Sequence, residues 1–90
     1  MAMLADTVDG VIGIDTHRDT LAAAAVTQIG GVLAQTHTSA DEAGYQHLFR
    51  LARSRVPGRR VWAVEGAGSF GAGLAGFLQQ RGERVLVVRR

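Results

Sequence analysis

The sequence predicts an α/β domain built on one mixed five-stranded sheet, and three observations lead there. Five short apolar runs, separated by turn signals, polar residues or charges, are too brief for stable helices. Two longer stretches with apolar residues three and four apart occur only after the third run and between the fourth and fifth. Two of the runs, Val11-Ile12-Gly13-Ile14 and Val61-Trp62-Ala63-Val64, are closed by carboxylates, Asp15 and Glu65.

Residues 1–9 show no period and are expected to form a loose N-terminal segment, leaving 10–90 as the domain. Val11 to Ile14 is the first strand, and Asp15-Thr16-His17-Arg18-Asp19 turns the chain. Thr20 to Val26 continues apolar. Its Ala22 to Ala25 run favours helix by propensity, but seven residues between two turn signals are too few for one, so a second strand is expected. Gly30-Gly31 then turns into Val32-Leu33-Ala34, the third strand of a meander.

Ser39-Ala40-Asp41-Glu42 matches a capping box, with Ser39 as the cap of a first helix. Tyr45, Leu48, Phe49 and Ala52 form its apolar stripe, flanked by Arg50, Arg53 and Arg55, and Pro57-Gly58 stops it. The fourth strand ends at Glu65. After Gly66-Ala67-Gly68-Ser69, a second helix carries Phe70, Leu74, Phe77 and Leu78 on one face and ends at Gly82, and Val85 to Val88 is the last strand. The order is β-β-β-α-β-α-β. Right-handed crossovers through the helices set strands one, four and five parallel, with strand two antiparallel, in the sheet order 3-2-1-4-5. Strands one and four are then neighbours at ~4.8 Å, and Asp15 and Glu65 project side by side. Two negative charges at that spacing repel and favour a cation between them, and magnesium, a hard ion that prefers oxygen ligands, suits the pair.

Ninety residues allow one small domain, in which only about 60 to 65% of the unfolded surface is buried. Without cysteine the chain can form neither a disulfide nor a thiolate metal site. No apolar stretch approaches the ~20 residues that span a bilayer, and the N-terminus lacks the pattern of a signal peptide, so the expectation is a cytoplasmic protein without a membrane partner. Charge is unevenly spread. Residues 1–45 hold Arg18 against six acids, whereas 46–90 hold nine arginines against Glu65 and Glu83. All the cations are arginine, whose planar forks grip phosphate oxygens, so the basic half is suited to a nucleic-acid backbone. Trp62, between Val61 and Ala63, reads as core, and His17 as an exposed turn residue.

The segments Val11-Ile12-Gly13-Ile14-Asp15-Thr16-His17-Arg18-Asp19-Thr20-Leu21 and Val61-Trp62-Ala63-Val64-Glu65-Gly66-Ala67-Gly68-Ser69-Phe70-Gly71-Ala72-Gly73-Leu74 resemble the N-terminal domain of DEDD transposases of the insertion-sequence-110 type. That resemblance implies a ribonuclease H-like (RuvC-like) fold without its C-terminal helices. It makes Asp15 and Glu65 catalytic residues and the first two of four metal ligands, with Mg2+ bound in the full-length enzyme. It also implies DNA as the partner, together with a structured guide RNA, and an activity of phosphodiester cleavage and strand exchange. In the family the other two aspartates lie on a helix beyond the fifth strand, and a separate C-terminal domain carries a catalytic serine. Here no acid follows Glu83 and nothing matches the second domain, so no cleavage is expected from this chain alone. Candidate nucleic-acid contacts are Arg18, Arg50, Arg53, Ser69, Arg89 and Arg90.

Three other readings compete. Gly66, Gly68 and Gly71 fit a G-x-G-x-x-G fingerprint between strand and helix, and Arg89-Arg90 would read a 2′-phosphate, which suggests NADP binding. Against it, Glu65 sets a negative charge beside the pyrophosphate, and the strand follows a meander where a dinucleotide fold would begin with it. An actin-like ATPase architecture also pairs a first-strand Asp with a phosphate-binding hairpin, but Thr16-His17-Arg18-Asp19 has no Gly to admit phosphates. The third is a non-enzymatic nucleic-acid-binding or assembly module, with an open sheet face that favours a homo-oligomer.

Overall fold

The computed structural model describes residues 8–65 and 69–88, with Ser69 and Phe70 described by their backbone only. Its elements are β1 (Gly10–Thr16), β2 (Thr20–Thr27), β3 (Val32–Ser39), α1 (Glu42–Arg55), β4 (Arg60–Glu65), α2 (Ser69–Gln80) and β5 (Arg84–Val88). The sheet order is β3-β2-β1-β4-β5, with β2 antiparallel to both neighbours and β4 parallel to β1 and β5. Element order and sheet order are those the sequence predicts.

The crossovers β3-α1-β4 and β4-α2-β5 step the same way across the sheet, so a common hand brings both helices to one face. Strand alternation then sorts the residues. Ile12 and Ile14 of β1, Leu21, Ala23 and Ala25 of β2, and Trp62 and Val64 of β4 are buried against Leu48 and Ala52 of α1 and Leu74, Phe77 and Leu78 of α2. Phe77 binds the helices together, its ring 5.6 Å from Tyr45 and 6.3 Å from Phe49. The opposite face carries no helix among the described residues, and its central positions Val11, Gly13, Ala22, Ala24 and Ala63 are half-buried. Ala22 to Ala25 lie within β2, where pairing on both sides overrides the helical propensity of alanine.

Local chemistry explains the turns. Gly30 takes φ 90° in the β2–β3 hairpin, a left-handed conformation that side chains other than glycine's resist. The start of α1 differs from the expected capping box. Asp41 is the cap, its side chain accepting from the Gly44 amide at 2.9 Å, and Ser39 donates its hydroxyl to the same carboxylate oxygen at 2.7 Å. Ser39 is held extended by its pairing with Thr20 and cannot begin a helix. The Ser39 hydroxyl first, and the Gly44 amide second, hold the Asp41 carboxyl below its usual range.

At Gly44 the helix start meets the end of β3 so closely that a Cβ would run into the Ser39 carbonyl. Gly44→Ala is therefore expected to destabilise the domain by about 1–3 kcal/mol through forced backbone displacement. Thermal melting against the parent chain checks this, and an unchanged midpoint contradicts it. At the other end of the sheet, Val8 is buried, and Asp9 accepts from the Arg59 amide at 2.7 Å while its own amide donates to the Arg59 carbonyl at 2.6 Å. The chain is thus anchored two residues before β1. Residues 1–7, the rest of the segment expected to be loose, lie outside the described residues. No described helix is long and apolar enough to cross a membrane.

Candidate metal centre

The parallel register between β1 and β4 pairs Ile12 with Trp62, Ile14 with Val64 and Asp15 with Glu65. Partners in a parallel ladder point to the same side, so with Ile14 and Val64 in the core both carboxylates project onto the open face. They stand at the carboxyl ends of the two central strands, where a rigid ladder sets their spacing. A further tie secures that end: the buried Thr16 donates its hydroxyl to the Glu65 backbone carbonyl at 3.0 Å. Thr16→Val keeps the volume but removes this bond. It is expected to cost about 1 kcal/mol of stability, measurable by melting, and a wild-type midpoint would remove the tie's importance.

Asp15 and Glu65 line an open concavity of about 530 Å³ with Gly13, Ala22, Ala24, Ala63, Gln35 and His37 among its other residues. Its floor is of small side chains, its charged edge is the acid pair. His17 Nε2 lies 3.4 Å from Asp15 Oδ2, near enough for an ion pair when the imidazole is protonated, and the His17 side chain is 56% exposed. The expected turn position of His17 and core position of Trp62 are both observed. Two carboxylates are hard oxygen donors of the kind magnesium takes. Among the described residues no group of three or more His, Asp or Glu side chains comes together as a complete ligand set, so the pair could supply only part of an ion's shell.

The other candidate residues are dispersed. Arg18 sits exposed in the β1–β2 turn at the same end of the sheet as Asp15. Arg50 and Arg53 are exposed on α1, which packs on the face opposite the carboxylates, and the Arg53 guanidinium lies 5.6 Å above the Phe49 ring. Arg89 and Arg90 lie outside the described residues, as do Gly66 and Gly68 of the dinucleotide fingerprint and the Ser69 side chain, while Gly71 is buried within α2. Thr16 was not among the sequence-derived candidates. A β-branched hydroxyl residue directly after a strand-closing acid is the only signal that pointed to it.

Similarity to known proteins agrees with this architecture. A solved structure from Bacteroides thetaiotaomicron, a protein with actin-like ATPase fold and unknown function, superposes with a TM-score of 0.70 at 13% identity over 89% of this chain. The chain covers 32% of that structure's length, and at such identity the likeness shows the fold alone. No curated protein matches the chain. Residues 12–90, however, match the family model of the IS110 DEDD transposases. That span takes in Asp15, Glu65 and everything between them. The chain therefore belongs to the DEDD transposase family of the IS110 type.

Proposed function

We propose that Asp15 and Glu65 form half of a divalent-metal centre for DNA phosphodiester cleavage and strand exchange, completed in the full-length enzyme by acids from another segment. The observation that carries this reading is the Asp15–Glu65 register, which aims two carboxylates from the central strands onto one open face. Divalent metal bound there would supply activation of the attacking oxygen and stabilisation of the leaving one. Asp15 and Glu65 would hold such an ion in fixed position, because the ladder and the Thr16 bond leave the strand ends little freedom. His17 would hold the Asp15 carboxylate from its solvent side.

The open face gives the reading a second support. Gly13, Ala24 and Ala63 form a floor low enough for a helix to lie beside the acids, which is where further ligands would have to come from. On this reading the chain by itself binds metal weakly and does not cut DNA. A structured guide RNA would be a partner of the full-length enzyme by family resemblance, and any self-association would use the open sheet face. The test uses Mn2+ as a paramagnetic stand-in for magnesium with the isotope-labelled chain. Amide signals of Asp15, Thr16 and Glu65 should broaden selectively, and Asp15→Asn with Glu65→Gln should remove the effect. Uniform broadening, or none at millimolar Mn2+, would overturn the metal assignment.

A further inference from the structure

The row that joins Asp15 to Glu65 continues the other way across the sheet. Asp15 pairs with Ala22 of β2, and Ala22 pairs with His37 of β3. Paired residues share a face, so His37, Ala22, Asp15 and Glu65 lie in one line on the open side. Two strand spacings of ~4.8 Å put His37 roughly 10 Å from Asp15, and only the methyl group of Ala22 stands between them. One row further down, Gln35 pairs with Ala24 and Ala24 with Gly13. The concavity thus has acids along one side, an imidazole and an amide along the other, and small residues as its floor.

We propose that His37 is a DNA-contacting residue that holds a phosphate next to the reacting one, on the same strand, across the gap left by Ala22. This rests on the reading of Asp15 and Glu65 as metal ligands for DNA. A polyanion brought to two carboxylates is attracted only at the ion, and its flanking phosphates need donors elsewhere. Imidazole donates a hydrogen bond in either protonation state, and His37 is exposed at the rim. At the opposite end of the row Glu65 pairs with Val88, which has no donor to offer. Among the described residues the row therefore offers DNA a side-chain donor on β3, beyond the Ala22 gap, and none on β5. Gln35 lies one row behind His37 on the same rim and adds a second donor on β3.

Fluorescence anisotropy of a labelled single-stranded oligodeoxynucleotide, at low salt with Mg2+ and the 90-residue chain, tests the assignment. His37→Ala should weaken binding about fivefold, the loss of one hydrogen bond, and His37→Arg should restore it. Ala22→Leu, which fills the gap without removing any donor, should weaken binding at least as much. Should that variant not fold, the His37→Ala and His37→Arg pair carries the test alone, since His37 is exposed on an edge strand and its substitution leaves the core intact. Parent-like affinity in His37→Ala, or no binding by the parent chain, overturns the proposal. The Mn2+ experiment reads the acid pair separately, so intact metal broadening with an unaffected His37→Ala would discard this contact and leave the metal centre standing.

Discussion

Asp15→Ala or Glu65→Ala, introduced at the matching position of a full-length relative, is expected to abolish transposition while leaving the fold intact. Each substitution removes one of two carboxylates that the β1–β4 register holds at adjacent strand ends. On the proposed reading each carboxylate holds metal at the reacting phosphate, and its loss costs at least the roughly 10²- to 10³-fold in rate that removal of one charge-stabilising group costs. Stability should not suffer. Both residues are half-buried on the face that carries no helix among the described residues, outside the core cluster that includes Ile14, Val64 and Leu74, and removing one of two like charges relieves repulsion. The paired readout is therefore a product assay for excised or joined DNA and a melting curve. Product at the parent level in either variant would end the catalytic claim. An inactive variant with a collapsed melting curve would reassign the acid to structure. The isosteric Asp15→Asn and Glu65→Gln separate charge from shape, and both should be as inactive as the alanines.

The strands were legible because each apolar run is short and bounded, and the acids because each closes such a run. Sheet order follows from two helical stretches and the hand of crossovers, so the adjacency of Asp15 and Glu65 is legible in the sequence alone. Smaller features escaped for definable reasons. Ser39 resembled a helix cap, but whether it capped or paired depended on how far β3 ran, and its pairing with Thr20 left the role to Asp41. Val8 and Asp9 belong to no apolar period, yet the hydrogen bonds between Asp9 and Arg59 anchor them beside a segment distant in sequence. His37 carried no local pattern. Only the combined register of three strands brings it into line with the acids, and register across an antiparallel meander with a bulge between Ala25 and Val26 is not written in either strand alone.

Glu83 illustrates the same limit with larger energetic consequence, and Glu83→Ala is expected to destabilise the domain by about 3–5 kcal/mol. Its carboxylate accepts from Arg60 Nε at 2.6 Å, from Arg60 Nη2 at 3.2 Å and from Trp62 Nε1 at 2.9 Å. The Arg60 and Glu83 side chains are each only 12% exposed. Arg60 also donates to the Val56 carbonyl at 3.0 Å and lies 5.9 Å over the Phe49 ring, so one network joins the start of β4, the end of α1 and the turn before β5. Truncating Glu83 leaves a guanidinium and an indole N–H largely buried without their acceptor. For a domain of this size total stability is on the order of 5–10 kcal/mol, and each kcal/mol moves the melting point by about 4–8 °C. The variant should therefore melt at least about 12 °C below the parent. Glu83→Gln keeps an acceptor oxygen but loses the charge, and should fall between them. The double variant Arg60→Met with Glu83→Leu should regain much of the loss, because replacing both members of a buried pair by apolar groups removes the unpaired charge. It should not regain all of it, since Trp62 Nε1 would remain without Glu83. A Glu83→Ala melting point within a few degrees of the parent would show that the network adds little, and a double variant no better than Glu83→Ala would place the cost at Trp62 and not at Arg60.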